Sequence, residues 1–281
     1  MPSDPAAPEF WIRLWGVRGS TPCPGSPYVR YGGNTPCVEV MCGTHRLIFD
    51  AGSGIRQLGG ALMANGAHSV QIFLTHTHVD HVNGFPFFRP AYSAARSIEL
   101  WAGHLTAQGL ALRDVLCKLM QPTLFPIGLE AMQAKISYND FQAGDVLEPG
   151  HGIRLRTTPL NHPGRATGYR IEYGGKVICY VTDVEHEPGK PDAAVLDLIA
   201  GADIVVYDSH FTDEEFPKYR GWGHSTWEEG VRLCEQAGAR RLILFHHSPE
   251  RDDDALDRIA DQLDRRRPGS RVGREGHVLH P

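Results

Sequence analysis

The chain has 281 residues, 22% charged and 41% apolar, with a formal net charge of −5. This is an ordinary globular composition, long enough for a full hydrophobic core, and it excludes the disordered and fibrous classes. The acidic balance argues against binding long nucleic acid by phosphate neutralisation, while a small phosphorylated substrate stays open.

No apolar run reaches the roughly 18–20 residues of a membrane span. The opening MPSDPAAPEF lacks the basic and apolar regions of a signal peptide, so a cytoplasmic protein is expected. Cys23, Cys37, Cys42, Cys117, Cys179 and Cys234 form no C-x-x-C pair. They read as reduced thiols rather than as a zinc knuckle or a Cys37–Cys42 disulfide.

Residues 1–8 read as a flexible tail and 9–281 as one domain. WIRLWGVRGS predicts a strand running into a glycine turn. CVEVMCGTHRLIFDAGSG predicts a hairpin on Gly43-Thr44 and then a glycine-rich loop. IRQLGGALMA has a helical period, SVQIFLTHTH is a short apolar strand ending in histidines, and RSIELWAG is another strand. Residues 104–133 are of mixed helical character, broken by QPTLFPIG, which cannot continue a helix and reads as a lid over a pocket. The second half repeats the theme with IRLRTTPLNH, a hairpin on Gly174-Gly175, ADIVVYDSH, a helix in STWEEGVRLCEQAG ended by Gly238, and RRLILFHHS. Strand clusters in both halves with helices between them predict a layered α/β fold with two sheets.

The chemistry gathers first in HTHVDH, residues 76–81. If residues 70–75 are a strand, alternation puts His76 and His78 on one side, able to share an ion. Asp80 and His81 follow where the strand must turn, and aim at a second ion beside the first. Imidazole and carboxylate are the ligands zinc and similar ions use. By chance this pattern is expected about 0.003 times in a chain of this composition. More candidates stand at the C-terminal ends of predicted strands: His162, Asp183, Asp208, and the adjacent His246 and His247. Strand ends converging on one sheet edge are where α/β proteins place ligand sites. A carboxylate such as Asp183 can span two cations, which one imidazole nitrogen cannot.

His76-x-His78-x-Asp80-His81, then His162, Asp183 and His246 in that order, together with the FDAGSG loop, resembles the metallo-β-lactamase superfamily over nearly the whole chain. The resemblance implies an αββα sandwich, two mixed sheets flanked by helices, with a dinuclear metal site at one edge. Carried over by position, one ion takes His76, His78 and His162, the other Asp80, His81 and His246, and Asp183 bridges. His246 is taken over His247 because it follows the strand as in the related pattern. The implied cofactors are two divalent ions, zinc first, with manganese or iron as alternatives.

GWGHSTWEEGVRLCEQAGARRLILFHH looks like the ribonuclease Z-type phosphodiesterase segment in which His-Ser-Thr precedes a helix. By that resemblance His224 donates a proton to the leaving oxygen and Asp208 orients it. Read alone, His224 would be a surface histidine before a helix capped by Ser225 or Thr226. WGVRGSTPCPG and YGGNTPCVEV resemble the phosphoribosyl cyclic phosphodiesterase-like hydrolases. The long basic arm of ribonuclease Z has no counterpart, since residues 104–140 hold only Arg113, Lys118 and Lys135 as basic side chains.

The expected function is therefore dinuclear-metal-dependent hydrolysis of a phosphodiester by a metal-held hydroxide. The substrate would be a cyclic nucleotide, a phosphoribosyl cyclic phosphate or a small oligonucleotide. Asp80 ligates and takes part in proton transfer, and Arg165 is a candidate for a substrate phosphate, against the reading of a solvated loop arginine. A lactone, thioester or β-lactam hydrolase, and a mononuclear iron dioxygenase, are the alternatives on the same fold. Asp50 reads as a structural loop former. No membrane partner is expected, and a homodimer is left open.

Overall fold

The computed structural model describes residues 9–66 and 68–281. The tail expected over residues 1–8 lies outside the described residues. In chain order the first half holds β1 (Phe10–Gly16), β2 (Cys37–Cys42), β3 (His45–Phe49), α1 (Ile55–Ala64), β4 (Ser69–Leu74), α2 (Val79–Val82), β5 (Ser97–Ala102), α3 (Leu112–Leu119) and β6 (Lys135–Asp140). The second half begins with β7 (Val146–Gly150), β8 (Ile153–Leu160), β9 (Ala166–Tyr173), β10 (Lys176–Val181) and α4 (Ala193–Ile199). It continues with β11 (Ile204–Asp208), α5 (Trp227–Gln236), β12 (Arg241–Phe245), α6 (Asp253–Arg266), β13 (Arg271–Val272) and β14 (Val278–Leu279).

Among the described residues the strands form two seven-stranded sheets, ordered β14-β1-β2-β3-β4-β5-β6 and β13-β12-β11-β10-β9-β8-β7. Both are mixed. In the first, β3 to β6 run parallel; in the second, β10 to β13 do.

Period-two alternation sorts the apolar side chains into three layers. Ile204, Val206, Ile243 and Phe245 point inward with Ile12, Leu14, Phe49 and Phe73, filling the space between the sheets. Val205, Tyr207, Leu242 and Leu244 point outward onto apolar residues of α4, α5 and α6. Val70, Ile72 and Leu74 point outward from the first sheet onto α1 and α3. Strands apolar on both faces, such as IVVYD and RLILF, are the signature of sheets covered on both sides. The result is a helix–sheet–sheet–helix sandwich, and the α/β sandwich fold expected from the sequence is the fold observed.

This topology builds one working edge. Parallel β3 and β4 end together, and so do β10, β11 and β12. Two antiparallel steps from β10 through β9 return β8 to the same direction, so its C-terminus joins them. The sheets are tied near that edge, where Tyr169 Oη donates to the Leu74 carbonyl at 2.7 Å and Thr167 N–H donates to Thr75 at 2.9 Å.

Two local readings are corrected. The strand predicted over residues 70–75 stops at Leu74, because the Thr75 N–H donates to the Asp50 carboxylate at 2.8 Å and leaves the ladder. His76 and His78 therefore meet through a loop conformation, not through strand alternation. The QPTLFPIG segment sets Phe125 edge-on to Phe87, with ring centroids 5.4 Å apart. The cleft beside the histidines is walled instead by residues between Leu105 and Val115. All six cysteines are free, and no helix among the described residues is long and apolar enough to cross a membrane.

Candidate metal centre

Seven side chains converge where these strands end. The ligand-type atoms of His76, His78 and His162 lie within 4.8 Å of one another, and those of Asp80, His81 and His246 form a second such group. In the first, His162 Nε2 is 3.0 Å from His78 Nδ1. In the second, His246 Nε2 is 3.3 Å from His81 Nε2 and 3.2 Å from Asp80 Oδ2.

Asp183 stands between the groups. Its Oδ1 is 3.8 Å from both His76 Nε2 and His162 Nε2, while its Oδ2 is 3.1 Å from His81 Nε2 and 3.4 Å from His246 Nε2. One oxygen thus faces each group. His247 is turned away and hydrogen-bonds the Gly273 carbonyl through Nε2 at 2.8 Å.

The backbone aims several of these groups through unusual conformations. Asp50, Asp183 and His246, each just past a strand, have φ of 60°, 58° and 59°. Left-handed backbone in a non-glycine residue costs about 1–3 kcal/mol and persists only where its surroundings enforce it. Two glycines make room: a Cβ on Gly19 would stand 2.4 Å from His246 Nδ1, and one on Gly223 would stand 2.2 Å from His162 Nδ1.

The second ring nitrogen of several histidines is already committed. His81 Nδ1–H donates to Asp50 Oδ2 at 2.9 Å, and Asp50 also accepts from Tyr180 Oη at 2.9 Å and from Thr75. His162 Nδ1–H donates to the Gly223 carbonyl at 2.7 Å, whose own N–H is held by Glu185. Such partners fix the ring orientation and turn the other nitrogen inward. His76 Nε2 and His246 Nδ1 are buried without a hydrogen-bond partner among the described residues.

His224 Nδ1–H donates to Asp208 Oδ2 at 2.9 Å and lies 3.7 Å from Asp183 Oδ1. Asp208, fully buried, also accepts the N–H of Asp183 and of His210, each at 3.0 Å. The His210 ring stacks on His224 with centroids 4.4 Å apart. His210, His224 and His246 form a further close group, as do Asp183, Asp208, His224 and His246, so distance alone does not separate ligand from neighbour there. Arg165 is exposed on the turn after His162, with its N–H donating to the His162 carbonyl at 2.8 Å.

The electrostatics are those of an anion-rich buried cage. Burial holds His76 well below the ordinary imidazole range, and His78 and His162 below it, so these rings stay neutral. Burial opposes charge on His81 too, but Asp183, Asp80 and Asp50 outweigh it and raise His81 well above that range. Against their own burial, neighbouring histidines keep Asp80, Asp183 and Asp208 ionised below the usual carboxylate range. His224 is disfavoured as a cation by burial, yet Asp208 lifts it to about 9.

The donor set fits divalent ions. Asp50, Asp80, Asp183 and Asp208 are all buried, and no lysine or arginine pairs with any of them among the described residues. Buried carboxylates with only histidines to balance them are costly, and a cation between the groups offsets that cost. Neighbouring ligands of a tetrahedral ion with 2.0–2.1 Å bonds stand about 3.3 Å apart, close to the 3.2–3.4 Å separations among Asp80, His81 and His246.

Sequence reasoning missed Asp50 as the orienter of His81, and did not single out His210 or the Gly223 carbonyl. Asp50 was within reach: LIFD ends in aspartate just as DIVVYD does. A carbonyl partner carries no side-chain signal.

Residues 45–247 match the family described as a beta-lactamase superfamily domain, and the chain belongs to it. That membership supports a hydrolase at the level of the family. A ribonuclease Z of Myxococcus xanthus is 25% identical over 268 residues, covering 79% of this chain and 83% of its own. The metallo-beta-lactamase fold protein YhfI of Bacillus subtilis superposes with a TM-score of 0.70 at 18% identity, covering 96% of this chain and 98% of its own. Zn(2+)-bound PqqB of Methylobacterium extorquens gives a TM-score of 0.71 at 18% identity, covering 96% of this chain and 100% of its own.

Proposed function

We propose that this chain is a dinuclear metal-dependent phosphodiesterase acting on a small phosphorylated substrate. His76, His78 and His162 would hold one ion, Asp80, His81 and His246 the other, and Asp183 would span them. Zinc is the expected metal, as in the Zn(2+)-bound protein of the same fold, with manganese or iron as alternatives. Such a pair supplies Lewis acidity that polarises a phosphoryl oxygen and brings the pKa of water toward neutrality.

The chain's own residues do the rest. Asp80 commits Oδ2 to the Ser20 N–H and to His246, which leaves Oδ1 to accept a hydrogen bond from the attacking water. The Arg165 guanidinium has no ion-pair or hydrogen-bond partner among the described residues and is free to meet a phosphate oxygen. His224 holds one proton on Nδ1 against Asp208 and carries another on Nε2 for the departing alkoxide, a poor leaving group without help.

The observation that carries the phosphodiester reading is the 2.9 Å contact from His224 Nδ1 to Asp208 beside Asp183. Acyl transfer requires no acid in that place. The relative named ribonuclease Z supports the same bond class.

The test is a panel assay of metal-reconstituted protein with bis-p-nitrophenyl phosphate, cyclic nucleotides, lactones and nitrocefin. Turnover of the diesters, abolished by chelator and restored by Zn²⁺ or Mn²⁺, is expected. Turnover confined to lactones or nitrocefin, or oxygen consumption with one iron per chain, would overturn the reading.

A further inference from the structure

A cleft of about 270 Å³ opens beside the first histidine group, with His76 and His78 at its inner end. Leu105, Leu110 and Val115 form its apolar wall, and Gly164 and Arg165 one lip. Thr77, His104 and Gln108 bond to one another and to backbone, which leaves His104 Nδ1 buried without a partner among the described residues and the Arg165 guanidinium at the lip for the phosphate. Thr77 Oγ1 is 3.0 Å from His104 Nε2, and the Gln108 amide donates to the His104 and Gly164 carbonyls at 3.0 and 2.8 Å. Burial pushes His104 down to about 3, so the ring adds no charge to the wall. No carboxylate and no lysine lines the cleft. Leu110 at its mouth is 41% exposed, an apolar surface awaiting a cover.

The proton-donor candidate does not line this cleft. The His224 ring lies 4.9 Å from that of His246 and 5.4 Å from that of His162, between the two groups. A leaving oxygen drawn to His224 therefore stands outside the cleft and leaves it open to the other ester arm.

We infer that this cleft receives the arm of the diester that stays on phosphorus, and that it selects an apolar ring over a bare sugar. The inference rests on the phosphodiesterase reading and narrows its substrate class. A sugar entering here would leave most of its hydroxyls unpaired against leucine and valine, whereas a ring covers the apolar wall.

The experiment holds the leaving group constant as p-nitrophenolate and varies the retained arm: methyl, phenyl or ribosyl. The kcat/KM should rise about tenfold from methyl to phenyl, mainly through KM, and the ribosyl ester should gain nothing over methyl. In Leu110→Asn and Val115→Asn, both at partly exposed positions, the phenyl-to-methyl ratio should collapse toward one. A flat series, or a ratio unchanged in both variants, overturns the assignment. Calorimetry of phenyl phosphate and methyl phosphate on the metal-loaded protein separates the two readings. Tighter phenyl phosphate binding with no diester turnover sinks the phosphodiesterase and keeps the apolar subsite. Equal binding sinks the subsite while the phosphodiesterase stands on its own assay.

Discussion

Histidines gather at both ends of the sheets. At the C-terminal ends of β3, β4, β8, β10 and β12 they are mixed with buried carboxylates, and His81, His162 and His224 each donate Nδ1–H to a fixed acceptor. At the N-terminal ends, His45, His68 and His151 share a groove with Glu99. There His45 and His151 lie face to face with ring centroids 3.1 Å apart, and neither ring has a hydrogen-bond partner among the described residues. Parallel stacked rings point their lone pairs side by side rather than at a common point. Crowding alone thus does not make a metal site. What distinguishes the working edge is the partner on the other nitrogen and the buried carboxylates that no lysine or arginine pairs with among the described residues.

Four experiments bear on that contrast. The largest effect is expected for Asp183→Asn, which weakens the one group facing both histidine sets. Its kcat/KM should drop by about 10⁴ or more, beyond what acid catalysis alone contributes, and bound metal measured by mass spectrometry should fall with it. Full metal content with near-normal turnover would show that Asp183 spans nothing.

Next, His224→Ala should slow turnover by about 10³ while metal content stays intact. A loss of metal there would make His224 a ligand instead. The unchanged enzyme should also show an alkaline limb that this variant lacks. His224 must be protonated to act, so rate is present below its pKa and lost as pH rises through it. The chain's own charges put that value at about 9, and neighbouring cations would move the limb to lower pH.

A smaller effect is expected of Asp50→Asn, which keeps the shape but weakens the anchor of His81. Metal affinity by calorimetric titration should fall about 10–100-fold, the usual range for a ligand's outer partner. An unchanged affinity would mean that His81 is held by packing alone.

The smallest belongs to the far groove. The double variant His45→Ala, His151→Ala should keep metal content and turnover, with stability altered by no more than about 0.5 kcal/mol. Loss of bound metal would place a second site there and undo the contrast.

Much of this edge was legible in the sequence because HTHVDH is contiguous and the other candidates follow apolar β-runs. The strand-end rule found Asp183, Asp208 and His246, and would have found Asp50 had it been applied evenly. The strand boundary failed at Thr75 because its hydrogen bonds go to Asp50, a long-range partner no local window contains. The choice between His246 and His247 turns on a left-handed φ of 59°, which propensity does not reveal. The edge strands β6 and β7 went unread because they are half-exposed and carry no apolar run. The helix α6 shows Leu256, Ile259 and Leu263 at helical spacing, a pattern the sequence reading did not use. His104 and the wall from Leu105 to Val115 join the site only through tertiary packing.

Asp208 accepts from the Asp183 N–H on the same oxygen that receives His224 Nδ1–H. A single carboxylate oxygen therefore holds both the Asp183 backbone and the His224 ring in place. Any movement that shifts one drags the other, so the separation of Asp183 from His224 is geared rather than independently adjustable. Substitutions at Asp183, Asp208 and His224 should then combine far less than additively, as parts of one linkage do. A chain rebuilt for a longer substrate would have to move the whole linkage, or leave it alone and change the loops that feed it.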